Sequence, residues 1–126
     1  MSITREETYL KKLVGLALAI VLSTNLLGCD SKSIMYKKGT YEGNAEGHIG
    51  PIKVKIVTDQ YEIKEIVILE QQETPVIAEI VYKKIPPEVI KANSPEVEVV
   101  AGATYTSNGL IKAIKDGLNK AKIKEP

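Results

Sequence analysis

The segment Ile52-Lys53-Val54-Lys55-Ile56-Val57 places apolar and basic side chains almost in alternation. A period of two is that of a β-strand with one face buried and the other in water. Gly50-Pro51 before it and Asp59-Gln60 after it are turn sequences. This segment predicts the half-buried strand around which the rest of the fold is arranged.

Two further segments predict neighbours for this strand. Residues 39–47 read as a first strand, which its glycines weaken and twist or bulge. Residues 63–70 are mostly apolar with a less regular alternation, which indicates a third and more central strand. Because the connections are short, we expect the three strands to form an antiparallel meander.

After Pro75 the apolar residues follow helical spacing instead. Since proline disfavours a helical residue before it, we expect a short helix that ends before Pro86-Pro87, and either proline can begin a second one. Beyond Ser94-Pro95, residues 97–100 suggest one more short strand, and residues 110–121 form an amphipathic helix. The sequence therefore predicts an α+β fold, a small antiparallel sheet with two or three helices packed on one face.

The first 28 residues have the layout of a secretory signal peptide. Basic residues precede an uncharged apolar run at 13–22, which is shorter than the roughly 20 residues that span a bilayer. Leu26-Leu27-Gly28-Cys29 resembles the lipobox of bacterial lipoproteins. The resemblance implies that Cys29 becomes the lipidated N-terminus, carrying acyl chains such as palmitate, and that the protein is extracytoplasmic and anchored to the cell membrane. We expect residues 29–38 to form a polar tether and residues 39–126 the domain.

Composition narrows the classes of function. Cys29 is the single cysteine, so the sequence predicts no disulfide within the chain and no thiolate metal site. The net charge is +1 and no basic stripe is interleaved with aromatics, which argues against nucleic acid. The single histidine, His48, is interpreted as a surface loop residue. Glu70 and Glu73 could form a catalytic pair, but a solvated loop edge is the preferred interpretation.

Small residues and hydroxyls are concentrated at Gly102–Gly109, just before the last predicted helix. A helix N-terminus offers unpaired N–H groups and partial positive charge, and so can bind phosphate. Gly102 and Ala103 permit close approach of the backbone, and Thr106 or Ser107 could cap the helix. From the spacing of these residues alone, a loop that only caps the helix is favoured over a phosphate-binding site, and both interpretations stay open.

The run Ala101-Gly102-Ala103-Thr104-Tyr105-Thr106-Ser107 resembles the flavinylation motif of the FMN-binding domain family. That family includes the C subunit of the sodium-translocating NADH:quinone reductase and the G subunit of the Rnf complex. In it, a flavin transferase moves FMN from FAD to the Thr of Gly-Ala-Thr. The resemblance implies FMN on Thr104, with the flanking residues of the motif also in the cofactor site: Gly102, Ala103, Tyr105, Thr106 and Ser107.

The resemblance extends along the chain, since residues 39–43 and 50–54 are similar to the family's first two strands. Glu73-Thr74-Pro75 resembles a turn that lies close to the flavin, which implies that Glu73 and Thr74 contribute to the site. Three positions differ from the family pattern. Glu98 stands where Asp is usual, Ala101 replaces a Ser or Thr whose hydroxyl could contact the phosphate or the transferase, and Val76 replaces a Gly.

The function that the resemblance implies is that of an electron carrier rather than a stand-alone enzyme. Its partners would be the flavin transferase, a membrane NADH or quinol dehydrogenase as donor and a downstream electron acceptor. Two alternatives stay open at this point. One is a lipoprotein that binds FMN or another phosphorylated ligand without a covalent bond, and the other is a flavin-free interaction lipoprotein.

Overall fold

The computed structural model describes residues 32–124, which contain three strands and two helices. The strands are β1 (Gly39–Glu46), β2 (Pro51–Thr58) and β3 (Ile63–Glu70), and the helices are α1 (Pro75–Ala92) and α2 (Thr104–Ala121). The strands form one antiparallel sheet in the order β1-β2-β3. The predicted α+β fold is confirmed. Within residues 32–124 no helix is both long and apolar enough to cross a membrane.

The central strand of the sheet is β2. Its alternate residues Ile52, Val54 and Ile56 are fully buried, and the lysines between them face the other side. The prediction that residues 63–70 form the more central strand is wrong, because β3 lies at an edge. Two register shifts along β3 explain its irregular alternation, and one of them leaves Leu69 without a partner on β2.

Helix α2 lies directly on β1 because the residues between them are small. A Cβ on Gly43 would come within 1.9 Å of the Ala113 carbonyl oxygen, and one on Gly109 within 2.6 Å of the Gly47 Cα. No side chain larger than hydrogen fits at these contacts without moving backbone. Gly43, which weakens β1 as a strand, is therefore also a residue that lets α2 pack on it, and this packing brings the start of α2 beside the turn at 47–50.

Helix α1 is continuous through Pro86 and Pro87, so the prediction of two short helices separated at these prolines is wrong. An internal proline costs a helix roughly 3 kcal/mol. Val81, Ile85 and Val89 are fully buried on this helix, and burying each contributes about 1.5–3 kcal/mol. Tertiary packing of one apolar stripe therefore outweighs the local preference for a break.

The segment between the helices contains no strand, so the strand predicted at residues 97–100 is wrong. Val100 is buried, but its N–H is bound to the Ser107 hydroxyl oxygen at 3.0 Å rather than to a neighbouring strand. Val97 is half-buried and Val99 is exposed. These valines differ in burial because they lie in a loop of which one part packs on the core.

The chain enters the domain next to the end of α2. Tyr36 is buried, pairs with Lys122 in an isolated bridge, and its N–H is bound to the Gln60 carbonyl. Burial raises the pKa of the Tyr36 phenol. The folded domain therefore extends upstream of Gly39 into the segment for which a tether was predicted. The predicted signal peptide and Cys29 lie outside the described residues.

Candidate functional site

Thr104 is the first residue of α2, and its side chain is exposed. Ala103 precedes the helix, and its carbonyl accepts the Ser107 N–H at 3.0 Å, the first bond of the helical ladder. The N–H groups of residues 104–106 thus have no acceptor within the helix, and no side chain caps it. The first turn also contains no acidic residue. This helix start therefore presents donors and partial positive charge to an anion.

The prediction that Thr106 or Ser107 caps this helix is wrong, because the helix begins upstream of both and both are buried inside it. Ser107 is fully buried, and its hydroxyl oxygen accepts the Val100 N–H. It thereby ties the end of the preceding loop to α2. Ser107 supports the segment that presents Thr104, and it does not line the cavity described next.

Gly102 turns the chain into α2. Its φ of +81° lies in the left-handed region, and a Cβ built on it would meet nothing within 4 Å. The requirement for glycine here is conformational rather than steric. The turn closes with a 3.0 Å bond from the Ala103 N–H to the Val100 carbonyl.

A cavity of about 140 Å³ lies at this helix start. Five residues of the predicted cofactor site line it together. They are Gly102, Ala103, Thr104, Tyr105 and Thr106. Two further residues from other elements complete the lining, His48 from the turn between β1 and β2 and Ile77 from the first turn of α1.

His48 is the residue that the sequence interpretation missed. It is exposed, as expected of a surface loop residue, but its ring stacks on Tyr105 with centroids 5.1 Å apart and planes inclined by 23°. The Tyr105 ring is itself 73% exposed. No sequence pattern links two residues so far apart along the chain, since their contact depends on the glycine-mediated packing of α2 on β1.

Glu73 is buried just before α1, which corrects its interpretation as part of a solvated loop edge. One carboxylate oxygen accepts the His48 N–H and the other accepts the Ile49 N–H at 2.9 Å. Gly47 makes room for this carboxylate, because a Cβ there would come within 1.9 Å of Glu73 Oε1. Glu73 therefore holds the turn that carries His48, and it is not among the residues that line the cavity.

The surroundings of Glu73 are also ordered by hydrogen bonds. Its own N–H donates to Gln71 Oε1 at 2.8 Å, and the Tyr82 hydroxyl lies 3.4 Å from the same oxygen. Burial, together with the negative charge of Glu73, raises the pKa of Tyr82 to about 12. Thr74 is exposed and precedes α1, but its side chain makes no capping bond. Within residues 32–124, no group of three His, Cys, Asp or Glu side chains could hold a metal ion.

The sequence model of the FMN-binding domain matches residues 47–119, which is more than half of the chain. The chain belongs to the FMN-binding domain family. The matched region includes the turn at His48, the Glu73 clamp and the whole segment that lines the cavity. The cofactor is accordingly FMN.

Two relatives illustrate how this domain occurs in longer proteins. An uncharacterized protein of Treponema pallidum (strain Nichols) is 28% identical over 79 residues, which are 63% of this chain and 22% of that protein. An NADH:acrylate oxidoreductase of Vibrio harveyi is 24% identical over 88 residues, 70% of this chain and 9% of that protein. The chain thus spans less than a quarter of the length of either relative.

The residues at the helix start fit the chemistry of FMN. The N–H groups of residues 104–106 suit its phosphate, since they are donors at the positive end of an 18-residue helix. Ile77 and the stacked rings of His48 and Tyr105 offer apolar and aromatic surface beside that position. One small region therefore offers donors for an anionic group and aromatic surface for a flat ring.

Proposed function

We propose that this protein is an extracytoplasmic, membrane-anchored electron carrier in which FMN is joined to Thr104 by a phosphoester bond. The observation that carries the proposal is the position of Thr104, whose exposed hydroxyl stands at the first residue of α2 and lines the cavity. The helix start would stabilise the resulting phosphodiester by roughly 0.3–1 kcal/mol per favourable charge interaction.

The attachment reaction balances with FAD as the donor and a flavin transferase as the catalyst. The bond between the FMN phosphorus and the bridging oxygen of FAD breaks, and AMP leaves. The Thr104 oxygen forms the new bond to phosphorus, and its hydroxyl proton is released. The chain itself needs only to present an accessible hydroxyl at a site that favours a phosphate.

Burial separates Thr104 from the neighbouring hydroxyls of the motif. Thr106 is 4% exposed, and Ser107 is fully buried and already bound to Val100. A transferase must reach the oxygen that it modifies, so neither is suited to attachment. Of the three aliphatic hydroxyl residues, Thr104 is the one that combines exposure with a place at the helix start.

The bound flavin would supply the redox chemistry, and the chain would fix its position and surroundings. We propose that a membrane NADH or quinol dehydrogenase supplies electrons and that a downstream protein or small oxidant accepts them. The similarity to an NADH:acrylate oxidoreductase supports a role in redox chemistry that begins from NADH. Acylation of Cys29 at more than one position would keep the carrier on the membrane.

The proposed attachment residue lies far from the point where the chain enters the domain. Tyr36, where the chain enters the domain, pairs with Lys122 just beyond the end of α2, whereas Thr104 begins that helix. Eighteen helical residues span about 27 Å. The point where the chain enters the domain and the proposed attachment residue therefore lie at opposite ends of α2.

The test is flavin fluorescence in a denaturing gel, using the full chain made in cells that contain a flavin transferase. We expect a fluorescent band for the native sequence and none for Thr104→Ala. Thr40→Ala is the matched control, because Thr40 is an exposed threonine on the solvent side of β1, and its band should be undiminished.

Each other outcome contradicts a defined part of the proposal. A Thr104→Ala band as strong as that of the native chain would exclude this attachment residue. Yellow protein that loses its colour on denaturation would indicate non-covalent FMN, for which Ala101 offers a reason, since it lacks the hydroxyl usual at that position. Colourless native protein would favour an interaction lipoprotein.

A further inference from the structure

We infer that His48 is a contact residue of the flavin ring, and that its imidazole donates a hydrogen bond to the polar edge of that ring. This inference rests on the proposed function, in that FMN occupies the region beside Thr104. It gives a specific role to a residue of the β1–β2 turn, in a site whose other residues come from the start of α2 and from Ile77 of α1.

Both the backbone and the side chain of His48 are held by contacts with other residues. Its backbone is held by the buried carboxylate of Glu73, and its ring stacks on Tyr105, the residue that follows Thr104. Holding an exposed side chain in one conformation costs free energy, because the side chain loses rotamer freedom. Here a buried acidic residue and an exposed aromatic ring jointly orient one imidazole at the edge of the cavity.

The distance between the two rings decides how a flavin can lie. A ring inserted between two others needs about 7 Å between them, twice the usual contact distance of 3.5 Å. The centroids of His48 and Tyr105 are 5.1 Å apart, so the flavin ring does not fit between them. The two rings therefore stay stacked on each other, and both residues line the cavity together with Ile77.

Among the side chains that line the cavity, the imidazole of His48 is suited to the polar edge of the flavin ring. It carries at least one N–H donor in either protonation state, and Tyr105 beside it carries one O–H donor, whereas Ile77 carries none and Thr106 is buried. Reduction increases the negative charge on that edge, so a donor there binds the reduced flavin more tightly than the oxidised one. His48 would therefore raise the midpoint potential of the bound flavin.

The test exploits the fact that His48 is the only histidine of the chain. The full chain, made without a histidine tag, is labelled with ¹⁵N in the histidine ring. We expect the ring signals to differ between flavin-loaded native protein and unloaded Thr104→Ala, and to move again when the loaded protein is reduced with dithionite. Coincident signals in the loaded and unloaded proteins would overturn the inference.

This readout separates the inference from the proposed linkage. If the native protein carries no covalent flavin, the linkage fails, and free FMN is titrated into the protein instead. Ring signals that shift with added FMN would still support the contact, and signals that stay in place would overturn it.

Two variants test the hydrogen bond itself. His48→Phe keeps an aromatic ring against Tyr105 but has no donor, and His48→Gln keeps a donor but has no ring. For His48→Phe we expect the midpoint potential of the bound flavin to fall by about 30 mV. In a two-electron couple this fall corresponds to a tenfold loss in the preference of the site for reduced over oxidised flavin. His48→Gln should restore most of it. An unchanged potential in His48→Phe, or an equal fall in both variants, would overturn the donor role.

Discussion

The side chain of Glu73 and the backbone of His48 are joined by a hydrogen bond between residues 25 positions apart. The bond connects the segment that enters α1 to the turn between β1 and β2. Because His48 also stacks on Tyr105, Glu73 acts on the cavity at the start of α2 without lining it. Three separate parts of the chain therefore meet at one small site.

Replacing Glu73 with Gln should destabilise the domain. The amide keeps the shape of the carboxylate but turns an NH₂ group towards one of the two donors, the N–H groups of His48 and Ile49. A buried donor left without an acceptor costs about 1–3 kcal/mol. Urea denaturation measures the loss. Glu70→Gln, at an exposed carboxylate three residues earlier, is the control and should change stability by less than about 0.5 kcal/mol. Equal stabilities of the two variants would contradict the role of Glu73 as a clamp.

Gly43 and Gly102 should respond differently to alanine, because one is required for space and the other for conformation. A Cβ on Gly43 meets the Ala113 carbonyl oxygen at 1.9 Å, so α2 must move away from β1, at a cost of about 3 kcal/mol or more. A Cβ on Gly102 meets nothing, and its positive φ costs about 1–2 kcal/mol. Thermal unfolding of both variants gives the comparison. A larger loss for Gly102→Ala would contradict the close packing of α2 on β1.

The stability of the domain should fall as the pH rises from 10 to 12, in part because of Tyr82. Its pKa is about 12 in the folded protein, compared with 10 when the phenol is unperturbed. In this interval the unfolded chain loses the phenolic proton while the folded protein retains it, so stability decreases with rising pH. Tyr82→Phe should flatten this part of the profile relative to the native protein. Tyr61→Phe, which removes a phenol from an exposed ring, is the control for the loss of one tyrosine hydroxyl.

The parts of the fold that local patterns determine were predictable from the sequence. The alternation around Ile52 correctly predicts β2, and the spacing of apolar residues after Ser107 predicts the body of α2. The prediction of a helix break at Pro86 is wrong, because the packing of Val81, Ile85 and Val89 outweighs the local propensity of proline to end a helix. His48 could not be assigned from sequence, since its partner Tyr105 is brought near only when α2 packs on β1.

Pro87 offers a direct measure of how far tertiary packing overrides local preference in α1. It lies inside the helix but is exposed, so Pro87→Ala creates no cavity, and alanine supplies the N–H that the helical ladder lacks at this point. Removing an internal proline gains up to about 3 kcal/mol of helix stability, and the greater freedom of the unfolded chain offsets about 0.4–1 kcal/mol of it. We expect a net stabilisation of about 1–2 kcal/mol in urea denaturation. Pro86→Ala, at the buried neighbour, loses packing as well and should gain less. A destabilised Pro87→Ala would show that α1 depends on proline for its shape rather than tolerating it.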